Sequence, residues 1–132
     1  MPKVAVARIV YVVDADDSVR QGLSRLVDSA GLESKPCESV DAFLRQTPEA
    51  HVACALVDVS VPHVFEPALR ARLRAMADTV PVIALSVRDD PETRRRAREF
   101  GAQAFFCKPV DAQALLDSIG WVTRAEGPGV SS

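Results

Sequence analysis

The chain has 132 residues, enough for one compact domain with a hydrophobic core but short for two. Acidic and basic residues nearly balance at a formal net charge of -2, so the composition lacks the basic excess typical of nucleic-acid binding. No stretch approaches the length of a membrane span, and the N-terminal apolar run carries Arg8 and leads into an acidic loop where a signal peptide would have its cleavage site. We therefore expect a cytoplasmic domain that contacts neither a membrane nor nucleic acid directly.

Apolar segments alternate with segments of helical periodicity along the whole chain. The segments 8–14, 53–57 and 81–86 have no polar face, which is typical of central strands in a parallel sheet covered on both sides. Two further strand candidates lie at 32–35 and 102–109. With right-handed crossovers, this alternation predicts an α/β fold: a flavodoxin-like, doubly wound, five-stranded parallel sheet in the order 2-1-3-4-5, with five helices.

In that order, four polar side chains meet at the carboxyl edge of the sheet. Asp14, Asp58, Ser86 and Lys108 end the first, third, fourth and fifth strands. Two neighbouring carboxylates repel unless a cation lies between them, and Mg²⁺ prefers one or two carboxylates together with waters and phosphate oxygens. A phosphoryl group in transfer is stabilised by a metal, an ammonium and a hydroxyl. We predict that Asp58 is the nucleophile that accepts a phosphoryl group, with Lys108 and Ser86 stabilising its charge.

Several segments carry a resemblance to a known family. VVDADDSVR, SVDAFL, LVDVSVP, PVIALS and FFCKPVDAQALLDSI resemble, in order and spacing, a receiver domain of bacterial two-component response regulators, of the FixJ type. The resemblance covers residues 8–123, and we assign 1–123 to the receiver and 124–132 to a flexible tail or the start of a linker. It implies a CheY-like fold, a sensor histidine kinase as phosphoryl donor and a requirement for Mg²⁺.

The resemblance also implies roles for single residues. Asp58 matches the phosphoacceptor, Lys108 the lysine that precedes a proline, Ser86 the switch hydroxyl and Phe105 the switch aromatic. The metal site would consist of Asp14, Asp58 and the backbone carbonyl of Ser60.

One departure from the family pattern affects the metal site. The acidic pair of the family is adjacent, and its second position is Ala15 here, which offers no ligand. We expect weaker Mg²⁺ binding and slower phosphorylation, with Asp16 as a possible substitute ligand. The departure favours, as an alternative, an atypical receiver that acts as a protein-interaction module without phosphorylation.

A basic helix beside the fifth strand is the predicted partner face. It carries four arginines close to Phe105: Arg94, Arg95, Arg96 and Arg98. The simpler interpretation is a solvated face paired with nearby acids. The functional one is a surface that binds an output domain, a target protein or a second copy of the chain after phosphorylation.

Two alternative functions, a phosphatase and a cofactor-binding protein, compete with the receiver interpretation. DADDSV also satisfies the nucleophile motif of haloacid-dehalogenase-type phosphatases, which would make Asp14 the nucleophile and Asp16 its acid/base partner. Against it stand the absence of a later acidic metal motif and of a cap domain. A flavodoxin-like cofactor binder would need a hydroxyl- and glycine-rich loop after the first strand, where DADD has the wrong charge.

Overall fold

The structure is a computed structural model that describes residues 8–46, 52–60 and 66–126. Strands and helices alternate along these residues. The strands are β1 Ile9–Val13, β2 Glu33–Cys37, β3 Val52–Asp58, β4 Val82–Ser86 and β5 Ala102–Cys107. The helices are α1 Asp17–Ser29, α2 Val40–Leu44, α3 Pro67–Ala77, α4 Pro91–Glu99 and α5 Ala112–Glu126. None of these helices is both long enough and apolar enough to cross a membrane.

The five strands form one parallel sheet in the order β2-β1-β3-β4-β5, which confirms the predicted topology. β1 and β3 are neighbours, with Val13 opposite Val57, so Asp14 and Asp58 leave the sheet side by side. β4 pairs with both β3 and β5. The order places the ends of β1, β3, β4 and β5 along one edge, where ligand sites of open α/β sheets lie.

The central strands are buried on both faces, as their unbroken apolar sequences predicted. In β1, Tyr11 and Val13 pack into one hydrophobic cluster, with α2, α3 and α4. Val10 and Val12 point to the opposite face and pack against α1 and α5. Alternate side chains of a strand point to opposite faces, so a strand between two helical layers has no polar position. Each fully buried aliphatic side chain contributes roughly 1.5–3 kcal/mol.

The helix boundaries follow from local chemistry. The Asp90 carboxylate accepts a hydrogen bond from the Thr93 backbone N–H at 2.8 Å, and Pro91 stands in the first turn of α4. Gly101 follows α4 with φ of +99°, and a Cβ on it would lie 2.9 Å from the Cβ of Ala77. Glycine is required there by backbone conformation and by the close approach of α3.

The carboxyl-terminal part departs in detail from the sequence-based expectations. α5 extends to Glu126, three residues beyond the boundary placed at 123; residues 127–132 of the expected tail lie outside the described part of the chain. Cys54 is a buried core thiol, and burial raises its pKa to about 12. Cys107, at the end of the edge strand β5, is only half-buried.

Candidate functional site

The ammonium of Lys108 joins the two carboxylates at the edge of the sheet. Its Nζ lies 2.6 Å from Asp14 Oδ2 and 3.3 Å from Asp58 Oδ1. Lys108 follows β5, and its backbone N–H donates to the Ser86 carbonyl at 2.8 Å, which ties it to the end of β4. The sheet therefore brings together side chains that are 44 and 50 residues apart in sequence, and an ammonium bridges two mutually repelling carboxylates.

Asp14 is the most deeply buried acid of the site, with its side chain 2% exposed. Its Oδ1 accepts from the Asp16 backbone N–H at 2.9 Å, and its Oδ2 takes the Lys108 ion pair. Its backbone carbonyl accepts from Arg20 Nη1 at 2.7 Å. A buried carboxylate without partners would be strongly unfavourable, so these bonds are what permits a charge at this position.

Asp58 is held through one of its two carboxylate oxygens. Oδ1 accepts from the Ser60 backbone N–H at 3.1 Å and from the Ser60 hydroxyl at 2.7 Å, besides its contact with Lys108. Oδ2 accepts no hydrogen bond from any residue that the structure describes. One oxygen is thus fixed by the protein and the other is available for chemistry.

The Ser60 hydroxyl was not anticipated as part of the site, where only its carbonyl was expected. Ser60 Oγ also accepts from the Val87 backbone N–H at 3.0 Å, so it connects Asp58 to the segment after β4. A serine two residues after an aspartate is a sequence signal for such a local bond, since short hydroxyl side chains bond to nearby backbone and side-chain groups.

Ser86 lies at the end of β4, fully buried, next to this group. Its hydroxyl accepts from the Arg88 backbone N–H at 2.9 Å. The structure thus brings Asp14, Asp58 and Lys108 into direct contact and keeps the Ser86 hydroxyl one strand away, bonded within its own loop.

A small cavity of about 50 Å³ opens between the ends of β1, β2 and β3. It is lined by Val13, Asp14, Ala15, Glu38, Ser39, Val40 and Asp58. Ala15 presents only a methyl group to it, as expected from the sequence. Asp16 is not among the lining residues, because its carboxylate accepts from the Val19 N–H at 3.0 Å and caps α1. Glu38, which sequence reasoning did not select, does line the cavity.

The residues around the cavity fit a hydrated Mg²⁺ ion. Asp14 and Asp58 supply two carboxylates, the number at which Mg²⁺ commonly binds while keeping several waters, and the volume admits an ion with water. Within residues 8–46, 52–60 and 66–126, no three acidic, histidine or cysteine side chains are close enough to ligate one ion together. Water must therefore supply the ligands that protein groups do not.

The arginines of α4 divide into paired and unpaired members. Arg95 and Arg96 both donate to Glu92, at 3.1 Å and 2.7 Å, and these bonds lower the pKa of Glu92. Arg94 pairs with Asp89, lowering the pKa of that carboxyl, and its guanidinium carbon lies 4.7 Å from the ring centroid of Phe105.

A groove of about 250 Å³ lies between α4 and β5 beside that stacked pair. Arg94, Arg98 and Phe105 line it together with small side chains. Arg98 is exposed and forms no ion pair with any described residue. The solvated-face interpretation therefore fits Arg95 and Arg96 better than Arg98.

With this geometry in place, comparison with known proteins identifies the family. The family model described as response regulator receiver domain matches residues 10–120. The chain belongs to the response-regulator receiver family. Two-component signalling is therefore its functional context, and the phosphatase and cofactor-binding alternatives are not supported. The recognised fold and the receiver assignment made from the sequence are both confirmed.

Individual relatives agree with the receiver assignment. The response regulator protein TmoT of Ectopseudomonas mendocina is 32% identical over 111 residues, which cover 84% of this chain and 50% of that protein. The transcriptional regulatory protein FixJ of Bradyrhizobium diazoefficiens is 28% identical over 123 residues, covering 93% of this chain and 60% of that protein. The receiver thus spans about half the length of the curated relatives that it matches.

Solved structures show the same fold. The crystal structure of FixJ-N superimposes with a TM-score of 0.77 at 22% identity, covering 90% of this chain and 95% of that one. The response regulator StyR superimposes with a TM-score of 0.76 at 35% identity, covering 91% of this chain and 61% of that one.

Proposed function

We propose that this receiver accepts a phosphoryl group on Asp58 and passes the signal on through the α4–β5 face. The observation that carries the proposal is the Lys108 ammonium, which contacts Asp14 and Asp58 beside a small cavity while Asp58 Oδ2 accepts no hydrogen bond from a described residue. A sensor histidine kinase is the proposed donor, in keeping with the response-regulator relatives.

The transfer step follows from the two oxygens of Asp58. Oδ2 attacks phosphorus, the new O–P bond forms as the bond from phosphorus to the donor breaks, and the donor group leaves with the electron pair of that bond. Lys108 neutralises charge that develops on the phosphoryl oxygens, and Ser60 holds Oδ1 so that Oδ2 remains free to attack. Asp14, Asp58 and the Ser60 carbonyl would hold Mg²⁺, which when bound would supply further charge neutralisation at the phosphoryl oxygens.

Asp16 is not needed in this arrangement. Its carboxylate contributes to the N-terminus of α1, so binding a metal directly would cost that cap about 1 kcal/mol. We propose that Ala15 leaves a water-filled ligand position, with slower phosphorylation as the consequence.

The direct test is incubation with acetyl phosphate and Mg²⁺, followed by intact mass and peptide mapping. We expect one phosphoryl group on the native chain and faster incorporation in Ala15→Asp, because a third carboxylate at the cavity strengthens metal binding. Incorporation only in Ala15→Asp would instead establish the phosphorylation-independent alternative. Failure of both proteins would contradict Asp58 as the acceptor.

The proposed output is association through α4 and β5. We propose that phosphorylation moves the Ser86 hydroxyl toward the phosphoryl oxygens and Phe105 further inward. This shift would change the groove that Arg94 and Arg98 line, and would favour the packing that binds an output domain, a target or a second copy.

The role of the α4–β5 face can be tested by measuring whether the activated chain self-associates. Sedimentation with beryllofluoride and Mg²⁺ should show a dimer that Arg98→Glu weakens about tenfold, since an acidic side chain would enter the groove. Arg25→Glu, on the exposed side of α1, is the matched control and should have no effect. Equal dimerisation of both variants would rule out the α4–β5 face.

A further inference from the structure

The end of β2 brings a third charged residue, besides Asp14 and Asp58, to the cavity. β1 and β2 pair up to Val13 and Cys37, and the Asp14 backbone N–H donates to the Cys37 carbonyl at 3.1 Å. Glu38 therefore follows directly on the strand beside Asp14, and it lines the cavity together with Ala15. The β2–α2 loop thus places Glu38 at the same cavity as Ala15, whose side chain ends at the methyl group.

The Glu38 carboxylate is uncommitted, unlike the other acids near the site. Asp14 and Asp58 are bound to Lys108, and Asp16 caps α1. Glu38 makes no hydrogen bond or ion pair with any residue of the described part of the chain, and its side chain is exposed. It can turn toward the cavity without breaking an existing interaction.

Charge balance gives Glu38 a role when a divalent cation binds. Two carboxylates and one ammonium leave a single net negative charge, so a divalent ion at the cavity would leave the group with a net positive charge. One further carboxylate restores neutrality. Because no three acidic side chains among the described residues are placed to ligate one ion directly, that carboxylate must act through a water on the ion.

We propose that Glu38 is the outer carboxylate of the Mg²⁺ site, accepting a hydrogen bond from a metal-bound water that occupies the place next to Ala15. This inference rests on the proposed function, since it assumes the metal at Asp14 and Asp58. Groups that bond to a metal's ligands commonly affect affinity 10–100-fold. Glu38 is a positioning residue for the ion and its water and does not contact the phosphoryl group.

Mg²⁺ affinity, measured without any phosphoryl donor, tests the proposal. Titration of the ¹⁵N-labelled chain with MgCl₂, followed by amide chemical shifts, should show about tenfold weaker binding in Glu38→Gln. Glu33→Gln is the matched control. It removes the same charge from the far end of β2, the strand that Glu38 follows, about 16 Å away at the usual rise per residue. This variant should bind Mg²⁺ like the native chain.

Repeating the substitution in an Ala15→Asp variant distinguishes a specific role of Glu38 in Mg²⁺ binding from a general effect of losing one negative charge. In Ala15→Asp, a carboxylate fills the place of the water, so adding Glu38→Gln should change the affinity less than twofold. Unchanged binding in Glu38→Gln, or equal weakening in Glu33→Gln, would overturn the proposal while leaving Asp58 as acceptor intact. If Asp14→Asn and Asp58→Asn also left Mg²⁺ binding unchanged, the metal site itself and the proposed function would fail.

Discussion

Replacement of Lys108 by methionine is expected to lower the free energy of unfolding by about 3–5 kcal/mol, because it removes the cation that bridges Asp14 and Asp58. Asp14 is nearly inaccessible to water, so without Lys108 its carboxylate would keep only the hydrogen bond from the Asp16 backbone N–H. Methionine keeps the unbranched apolar stem, so packing is largely preserved. Urea denaturation followed by circular dichroism measures the loss.

Neutralising Asp14 in the Lys108→Met variant should restore most of the lost free energy of unfolding. The double variant Lys108→Met with Asp14→Asn is expected to recover more than half of the stability, because a neutral amide replaces the buried carboxylate. Arg72→Met removes an exposed positive charge from α3 and should stay within about 0.5 kcal/mol of the native chain. A Lys108→Met variant as stable as Arg72→Met would show that the ammonium does not hold the carboxylates together.

Replacement of Asp58 by asparagine is expected to abolish phosphoryl incorporation from acetyl phosphate completely. The amide has no anionic oxygen to attack phosphorus, while its carbonyl can still accept the bonds that Ser60 makes to Oδ1. The fold should therefore survive, which circular dichroism can verify in the same samples. Intact mass after incubation with Mg²⁺ and acetyl phosphate gives the yield.

Asp14→Asn distinguishes the two carboxylates. We expect it to slow incorporation at least tenfold through weaker metal binding, yet to leave Asp58 as the modified residue in peptide maps. Phosphorylation that persists in Asp58→Asn but disappears in Asp14→Asn would reverse the assignment and make Asp14 the nucleophile.

Much of the fold could be predicted because it depends on patterns within single segments. Unbroken apolar runs predicted β1, β3 and β4, and the alternation with helices predicted the parallel sheet and its order. The contact among Asp14, Asp58 and Lys108 followed from that order, since residues that end neighbouring strands must share an edge. Helix ends were predictable to within a few residues, with α5 longer than expected.

The loops at the site could not be predicted in the same way. Asp16 was a candidate metal ligand because it directly follows Ala15, but the turn between β1 and α1 directs its carboxylate to the Val19 N–H. Glu38 lies 23 residues from Ala15 and gives no local signal, and only the pairing of β1 with β2 brings the two to one cavity. Side chains in loops are placed by the elements on either side, so their contacts depend on tertiary geometry.

The sequence by itself determined the sheet order and the carboxylates at its edge, because burial periodicity and strand-end polarity are properties of short segments, and its motifs indicated the receiver family by resemblance. Only the tertiary structure decided which oxygen of Asp58 is open, which acid caps α1 and which acidic residue of the β2–α2 loop lines the cavity with Ala15. Those features arise from distances of a few ångströms between separate loops, and such distances are set by packing of the whole sheet against its helices.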